Sequence, residues 1–139
     1  MNSEKIRTLI IEDEELARNL LRTYLGEHDE LEVIGECENG FEGVKAINEM
    51  KPDLVFLDIQ MPKITGFEML ELIDHNPEII FTTAYDQFAL KAFEYNAADY
   101  LLKPFSRDRL QGALDKVKEK LVRETDHEDM VEKITNFPR

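Results

Sequence analysis

The stretch that decides the fold is Leu54-Val55-Phe56-Leu57-Asp58, in which four consecutive apolar residues are followed by an acid. A strand that is apolar at every position has both faces buried, which is typical of a central strand in a parallel sheet with helices on both sides. The sequence therefore predicts an α/β fold with this strand near the middle of the sheet. It also places the Asp58 carboxylate at the strand's carboxyl end.

Short apolar runs alternate with amphipathic stretches on both sides of this strand, which predicts five successive βα units. The other predicted strands begin and end at residues 9–11, 31–37, 79–82 and 100–102. Residues 31–37 alternate apolar with polar side chains, which indicates a strand at or near a sheet edge.

Helical spacing of apolar residues predicts the buried face of each helix. The predicted faces are Leu16, Leu20, Leu21, Tyr24 and Leu25; Phe41, Val44, Ile47 and Met50; Phe67, Leu70 and Ile73; Phe88, Ala89, Ala92 and Phe93; and Leu110, Leu114, Val117 and Leu121. The third helix is expected to continue to residues 75–77. The fifth is expected to end near Leu121, where a mostly charged segment, residues 122–139, begins.

Composition limits the classes of function. The chain has 139 residues, a formal net charge of -13 and one cysteine, Cys37. The length fits one domain, and the negative charge argues against nucleic-acid binding by this segment, because a phosphate backbone would be repelled. Without a disulfide pair, an N-terminal signal segment or an apolar run of roughly 18 residues, we expect a cytoplasmic protein that does not cross a membrane.

Polar side chains mark the carboxyl ends of four predicted strands. They are Glu12 and Asp13 after the first strand, Asp58 at the third, Thr82 and Thr83 at the fourth, and Lys103 at the fifth. In open parallel sheets, ligands bind outside these ends at the point where the strand order reverses. Because the first and third strands are expected to be neighbours, Glu12, Asp13 and Asp58 are predicted to meet in one pocket.

Three carboxylates in one pocket repel one another. At an effective dielectric near 20, two like charges about 4 Å apart repel by about 4 kcal/mol, so the cluster is expected to take up a proton or a cation. Magnesium fits, because it is usually held by one or two carboxylates, several waters and a substrate phosphate. Lys103 and Thr83 could stabilise a phosphoryl group during transfer, which makes Asp58 the predicted nucleophile.

Four segments together resemble the receiver domain of two-component response regulators. They are residues 11–14 (Ile-Glu-Asp-Glu), 52–62 (Pro-Asp-Leu-Val-Phe-Leu-Asp-Ile-Gln-Met-Pro) with Gly66, 82–84 (Thr-Thr-Ala) and 99–105 (Asp-Tyr-Leu-Leu-Lys-Pro-Phe). The resemblance covers about residues 5–121 and implies a flavodoxin-like, doubly wound sheet of five parallel strands in the order 2-1-3-4-5. It also implies a signalling domain that catalyses only its own phosphorylation and dephosphorylation, and not an enzyme with a separate substrate.

The resemblance implies a role for each acidic residue of the pocket. Asp58 is the expected phosphorylation site. Glu12 and Asp13 are the expected acidic pair that holds Mg²⁺ with Asp58, and the backbone carbonyl of Gln60 is expected to complete the metal site. The family commonly has Asp at the position of Glu12, so the longer side chain leaves open whether Glu12 contacts the metal directly or through water.

The resemblance also implies how the remaining polar residues act. Thr83 and Lys103 are expected to bind phosphoryl oxygens, and Tyr100 is the aromatic side chain expected to switch together with Thr83. The Lys103-Pro104 peptide is often cis in this family. Taken singly, Lys103 could be a surface lysine at a turn, and Thr83 could cap the fourth helix in competition with Asp86.

Residues 81–94 and 98–104 are most similar to regulators of the LytR/AlgR type, whose output module is a LytTR DNA-binding domain. This similarity implies a receiver domain over residues 1–121 and a charged linker over residues 122–139. The linker would lead to an output domain that lies beyond Arg139 and is absent from this sequence. Phosphorylation of the receiver would regulate transcription through that domain. The implied phosphoryl donor is a sensor histidine kinase.

Two further expectations concern the phosphorylated state. Phosphorylation is expected to enhance homodimerisation through the fourth helix, the fifth strand and the fifth helix, with a patch formed by Phe88, Lys91, Tyr95 and Phe105. Gln60 and Tyr85 are expected to flank the path of the water that attacks the acyl phosphate. A carboxamide cannot take the proton of that water, and the Tyr85 ring is expected to obstruct it.

Three other functions fit parts of this pattern. A magnesium-dependent phosphatase with an aspartyl nucleophile would need Asp-x-Asp, whereas residues 58–60 are Asp-Ile-Gln. A flavin or nucleotide binder would need a glycine-rich loop after the first strand, whereas residues 12–15 are Glu-Asp-Glu-Glu. A receiver domain that no longer accepts phosphate and acts only as an interaction module stays open.

Overall fold

The computed structural model describes residues 4–135, with side chains described from residue 4 to residue 124. Its five-stranded parallel sheet has the order β2-β1-β3-β4-β5, namely β1 (Ile6–Ile11), β2 (Leu31–Cys37), β3 (Leu54–Asp58), β4 (Glu78–Thr83) and β5 (Asp99–Leu102). The helices are α1 (Glu15–Leu25), α2 (Gly40–Met50), α3 (Gly66–Leu70), α4 (Ala89–Glu94) and α5 (Arg107–Thr135), with a 3-10 turn at Asp86–Phe88. The predicted doubly wound α/β fold, the strand order and the edge position of β2 are confirmed.

The sheet separates two hydrophobic cores. On one face, Leu9 and Leu57 pack against Ile47 of α2, Phe67 of α3 and Ala92 of α4. On the other face, Ile10 and Phe56 pack against α1 and α5. Every residue of β3 is buried, as expected of a strand covered on both sides.

The predicted buried face of α1 is partly wrong. The structure buries Leu21 and Leu25 but leaves Leu16 76% and Leu20 45% exposed. The third buried residue of the helix is Arg18. The face that meets the sheet therefore contains a charged residue, which a search for apolar spacing cannot detect.

The predicted face of α2 is also partly wrong, because its innermost positions are glycines. Phe41 and Met50 are exposed, whereas Gly40, Gly43 and Ile47 are buried. A Cβ atom at Gly43 would lie 2.7 Å from a methyl carbon of Ile11, closer than non-bonded atoms approach. The helix therefore reaches the sheet through residues without side chains.

The third helix is shorter than predicted. It begins at a capping box, in which the Thr65 hydroxyl accepts from the Glu68 N–H and the Glu68 carboxylate accepts from the Thr65 N–H. It ends at Leu70, and the chain is then tied to α2, because the Asp74 N–H donates to the Asn48 side chain at 2.9 Å. Turns or bends occur at residues 71–72 and 74–75.

The patch predicted around α4 divides between two places. Phe88, Lys91 and Tyr95 all contact the Phe67 ring of α3. Phe105 packs instead against Tyr24 of α1, with the ring centroids 6.4 Å apart. Phe93, which was predicted on the buried face of α4, is exposed, whereas Ala92 is buried.

The last helix continues beyond its predicted end near Leu121 to Thr135. After Gly112, neither glycine nor proline occurs until Pro138, so no residue up to Thr135 forces the helix to stop. Residues 136–139, the last part of the predicted linker, lie outside the described residues. Within the described part of the chain, no helix has the length and apolar character needed to cross a membrane.

Candidate functional site

The candidate site lies at the carboxyl ends of β1 and β3, where the strand order reverses. Ile11 is paired with Leu57, so the residues that follow both strands emerge side by side. One carboxylate oxygen from each of Glu12, Asp13 and Asp58 lies within 4.8 Å of the others. Glu12 and Asp58 are buried, whereas Asp13 is exposed. The predicted meeting of these three side chains is confirmed.

Glu12 is held at both its backbone and its side chain. Its N–H donates to the Cys37 carbonyl at 3.0 Å, which ties the end of β1 to the end of β2. One carboxylate oxygen accepts from the Glu14 N–H at 3.1 Å, and the other accepts from Lys103 Nζ at 2.6 Å. The Lys103 ammonium also lies 3.6 Å from Asp58 Oδ1, so it is shared between the two buried acids.

These contacts change the acidity of the groups at the site. Burial and the charge of Glu12 raise the pKa of Asp58 to about 8, although the Lys103 charge acts in the opposite direction. Burial alone would lower the pKa of Lys103, but its hydrogen bond to Glu12 and the charge of Asp58 raise the pKa overall. Lys103 therefore stays positively charged, and Asp58 has a strong tendency to bind a proton or a cation.

The polar residues at the end of β4 connect the site to β5. Asp58 is paired with Thr82, and Thr83 is the next residue, with only 1% of its surface exposed. The Thr83 hydroxyl accepts from the Tyr85 N–H at 3.2 Å, which closes a turn and does not cap α4. The Tyr100 hydroxyl donates to the Tyr85 carbonyl. Thr83 is thus linked to the predicted switch tyrosine through Tyr85, which bonds to both residues.

The remaining predicted residues lie around this site. The Lys103-Pro104 peptide is cis. The side chain of Gln60 is exposed in the loop after β3, and Tyr85 is 48% exposed with its ring against Phe88. The roles of the Gln60 carbonyl in metal binding and of Tyr85 in hydrolysis stay predictions.

Two residues that shape the site were given no role in the sequence analysis. The Gly66 N–H donates to the Ile59 carbonyl at 2.8 Å, and a Cβ atom at Gly66 would lie 2.7 Å from the Asp58 carbonyl oxygen. Arg18 Nη1 donates to the Glu12 carbonyl at 2.8 Å. A signal for Arg18 does exist, because it lies three residues before Leu21 and seven before Leu25, on the face that is buried.

Comparison with known proteins gives the family. The profile of the response regulator receiver domain matches residues 8–115. The chain belongs to the response regulator receiver domain family. It is therefore a signalling domain, and the acidic pocket corresponds to the place where receiver domains bind Mg²⁺. Three carboxylate oxygens, two of them on buried residues, are hard ligands that suit this ion.

Named relatives support this assignment. The transcriptional regulatory protein BtsR of Escherichia coli is 48% identical over 116 residues, which are 82% of this chain and 48% of that protein. An uncharacterized response regulatory protein of Vibrio cholerae is 54% identical over 107 residues, 76% of this chain and 45% of that protein. The chain thus spans about half the length of the curated relatives it matches.

Solved structures of receiver domains have the same fold. The response regulatory domain of mrkE from Klebsiella pneumoniae superposes with a TM-score of 0.76 at 32% identity, covering 84% of this chain and 98% of that one. The response regulator domain of Thermotoga maritima CheB gives a TM-score of 0.72 at 27% identity, covering 84% and 96%.

Proposed function

We propose that this receiver domain accepts a phosphoryl group on Asp58 from the phosphohistidine of a sensor histidine kinase, in a reaction that depends on Mg²⁺. One observation carries the proposal. The Asp58 carboxylate lies at the end of a fully buried strand, within 4.8 Å of the Glu12 and Asp13 carboxylates and 3.6 Å from the Lys103 ammonium. This arrangement combines a nucleophile, a cation-binding cluster and a fixed positive charge.

The chemistry is a transfer between two side chains. A carboxylate oxygen of Asp58 attacks the phosphorus atom, the phosphorus–nitrogen bond breaks, and its electron pair stays on the imidazole of the kinase. Lys103 and the Thr83 hydroxyl then bind oxygens of the acyl phosphate. Glu12, Asp13, Asp58 and the Gln60 carbonyl would hold Mg²⁺, which would supply positive charge close to the phosphoryl oxygens.

The switch follows from the contacts of residues 83–85. In the structure, the Thr83 hydroxyl accepts from the Tyr85 N–H, and the Tyr85 carbonyl accepts from Tyr100. A phosphoryl group on Asp58 adds negative charge and acceptor oxygens that attract the Thr83 hydroxyl. Moving Thr83 changes the turn that Tyr100 contacts, and the change is read on the surface of α4, β5 and α5. Phosphorylation-enhanced self-association through this surface is part of the proposal.

The biological output is proposed to be transcription regulation in the cytoplasm. The similarity of residues 81–94 and 98–104 to LytR/AlgR-type regulators supports a LytTR DNA-binding domain beyond Arg139. Relatives named transcriptional regulatory proteins are about twice as long as the matched segment, which is consistent with a further domain. On this proposal, residues 1–121 are the receiver and residues 122–139 form the connection.

Phosphorylation by a small donor tests the function directly. Incubation of the chain with acetyl phosphate and Mg²⁺ should add the mass of one phosphoryl group, detected by intact-protein mass spectrometry. Asp58→Asn should abolish the addition, because an amide is not a nucleophile for phosphorus, whereas Asp74→Asn, at an exposed acid, should leave it unchanged. Chelation of Mg²⁺ or Asp13→Asn should slow labelling at least tenfold.

The possible results separate the candidate functions. Labelling of Asp58→Asn at the wild-type rate would place the phosphorylated residue elsewhere. No labelling of the wild type would favour a receiver domain that acts without phosphate. An unchanged rate after chelation would exclude the metal from the reaction.

A further inference from the structure

Arg18 is a charged residue on the face of α1 that packs against the sheet. Its side chain is 11% exposed, and it is the buried residue that precedes Leu21 and Leu25 on this face. A guanidinium is rarely buried to this extent unless polar groups meet its donors. The contacts of Arg18 therefore indicate why a cation occupies this position.

The shortest contact of Arg18 is with the backbone beside the acidic cluster. Its Nη1 donates to the Glu12 carbonyl oxygen at 2.8 Å. That carbonyl belongs to the peptide that joins Glu12 to Asp13, so the hydrogen bond fixes the orientation of this peptide. On the other side, the Glu12 N–H donates to the Cys37 carbonyl. Both peptides that flank Glu12 are thus held, one by β2 and one by Arg18.

The rest of the guanidinium is anchored to acids at the end of β2. Nη2 lies 3.3 Å from a carboxylate oxygen of Glu38, and Nε lies 3.8 Å from one of Glu36. Arg22, one turn further along α1, also contacts Glu36, with its Nη1 at 2.7 Å, whereas its Nη2 donates to the side-chain oxygen of Asn19. Arg22 therefore shares an anchor with Arg18 without touching Glu12.

We propose that Arg18 is a positioning residue for the metal site: by fixing the Glu12–Asp13 peptide, it sets the separation of the two carboxylates and so strengthens Mg²⁺ binding. The inference rests on the proposed function, because it requires Mg²⁺ to bind at Glu12, Asp13 and Asp58. Outer contacts that orient metal ligands typically contribute about 10-fold to 100-fold in metal affinity.

The sign of the effect distinguishes positioning from simple electrostatics. A guanidinium charge near a divalent cation repels it, so removing the Arg18 charge would by itself tighten Mg²⁺ binding. Loss of the hydrogen bond to the Glu12 carbonyl lets the turn move and weakens binding. A variant that binds Mg²⁺ more weakly therefore shows that the hydrogen bond matters more than the charge.

The experiment is a titration of the 139-residue chain with Mg²⁺ in the absence of a phosphodonor. Binding is monitored by the amide chemical shifts in NMR spectra. Arg18→Met keeps the aliphatic part of the side chain and should raise the Kd for Mg²⁺ about tenfold. Arg22→Met is the matched control, because it removes a cation from the same helix and a contact from the same Glu36; its Kd should stay within about twofold of wild type.

Arg18→Lys covers the case in which Arg18→Met does not fold. It keeps a positive charge beside Glu36 and Glu38, but a single ammonium lacks the fork that serves Glu12 and Glu38 together. Its Kd should rise several-fold, with a thermal unfolding midpoint in metal-free buffer close to wild type. Binding as tight as wild type, or tighter, in every folded Arg18 variant would overturn the inference alone. A wild-type chain that does not bind Mg²⁺ would overturn the proposed function.

Discussion

Asp58 carries an energetic cost in the metal-free fold, because burial and the Glu12 charge raise its pKa from 3.8 to about 8. Between these values the folded state binds more protons than the unfolded chain, so the free energy of unfolding should fall as the pH rises from about 4 to about 8. Asp58→Asn should remove this part of the pH dependence. Even one unit of pKa shift corresponds to about 1.4 kcal/mol, which denaturant unfolding resolves.

Urea unfolding at pH 5 and pH 8 in the presence of a chelator measures this effect. The wild type should lose more stability than Asp58→Asn between the two pH values, and Asp74→Asn should follow the wild type. Because other groups titrate in this range, the difference between variants is the relevant quantity. Parallel stability profiles for wild type and Asp58→Asn would contradict the prediction.

Tyr85 is the residue expected to control how long the phosphorylated state lasts. Its backbone is fixed by Thr83 and Tyr100, whereas its ring is 48% exposed and rests edge-on against Phe88. If the ring obstructs the attacking water, Tyr85→Ala should shorten the lifetime of the acyl phosphate several-fold. Loss of the phosphoryl mass with time after removal of the donor measures it. Phe93→Ala, at an exposed ring on α4, is the control. An unchanged lifetime in Tyr85→Ala would show that Tyr85 does not obstruct the water.

At the scale of the secondary structure elements, α4 and β5 present exposed apolar side chains next to the switch. Leu90 is 77% and Phe93 75% exposed, and Leu102 of the neighbouring β5 is 44% exposed. If phosphorylation enhances self-association through this surface, Leu90→Ser with Phe93→Ser should weaken the phosphorylated dimer at least tenfold, because the exposed apolar area is lost. Sedimentation velocity of phosphorylated and unphosphorylated protein measures the association. Leu72→Ser, at an exposed leucine after α3, should behave as wild type. Equal association in the α4 variant and wild type would assign the interface to another surface.

At the scale of the whole molecule, the sheet and the acidic cluster could be predicted, whereas parts of the helix packing could not. An all-apolar β3 and polar residues at strand ends are strong signals, because burial on both faces and the meeting of strand ends are general properties of parallel sheets. Apolar spacing failed where another kind of residue lies innermost, as Arg18 does in α1 and Gly43 in α2. Arg18 is held by the backbone carbonyl of Glu12, and Gly43 lies where α2 closely approaches Ile11. Apolar spacing reveals neither contact, because every residue has a backbone carbonyl and Ile11 lies in another element.

The uninterrupted α5 also has a mechanical consequence. Among the side chains that the structure describes, Leu121 is the last residue of α5 that packs on a core, yet the helix continues to Thr135. At 1.5 Å per residue, residues 122–135 form a rod about 21 Å long, and each residue advances the direction around its axis by about 100°. The length of this rod and its rotation per residue would set the distance and the orientation of the output domain proposed beyond Arg139. A small tilt of α5 on the sheet becomes a larger displacement at its far end. Inserting or deleting residues in this helix would rotate the proposed output domain around the helix axis.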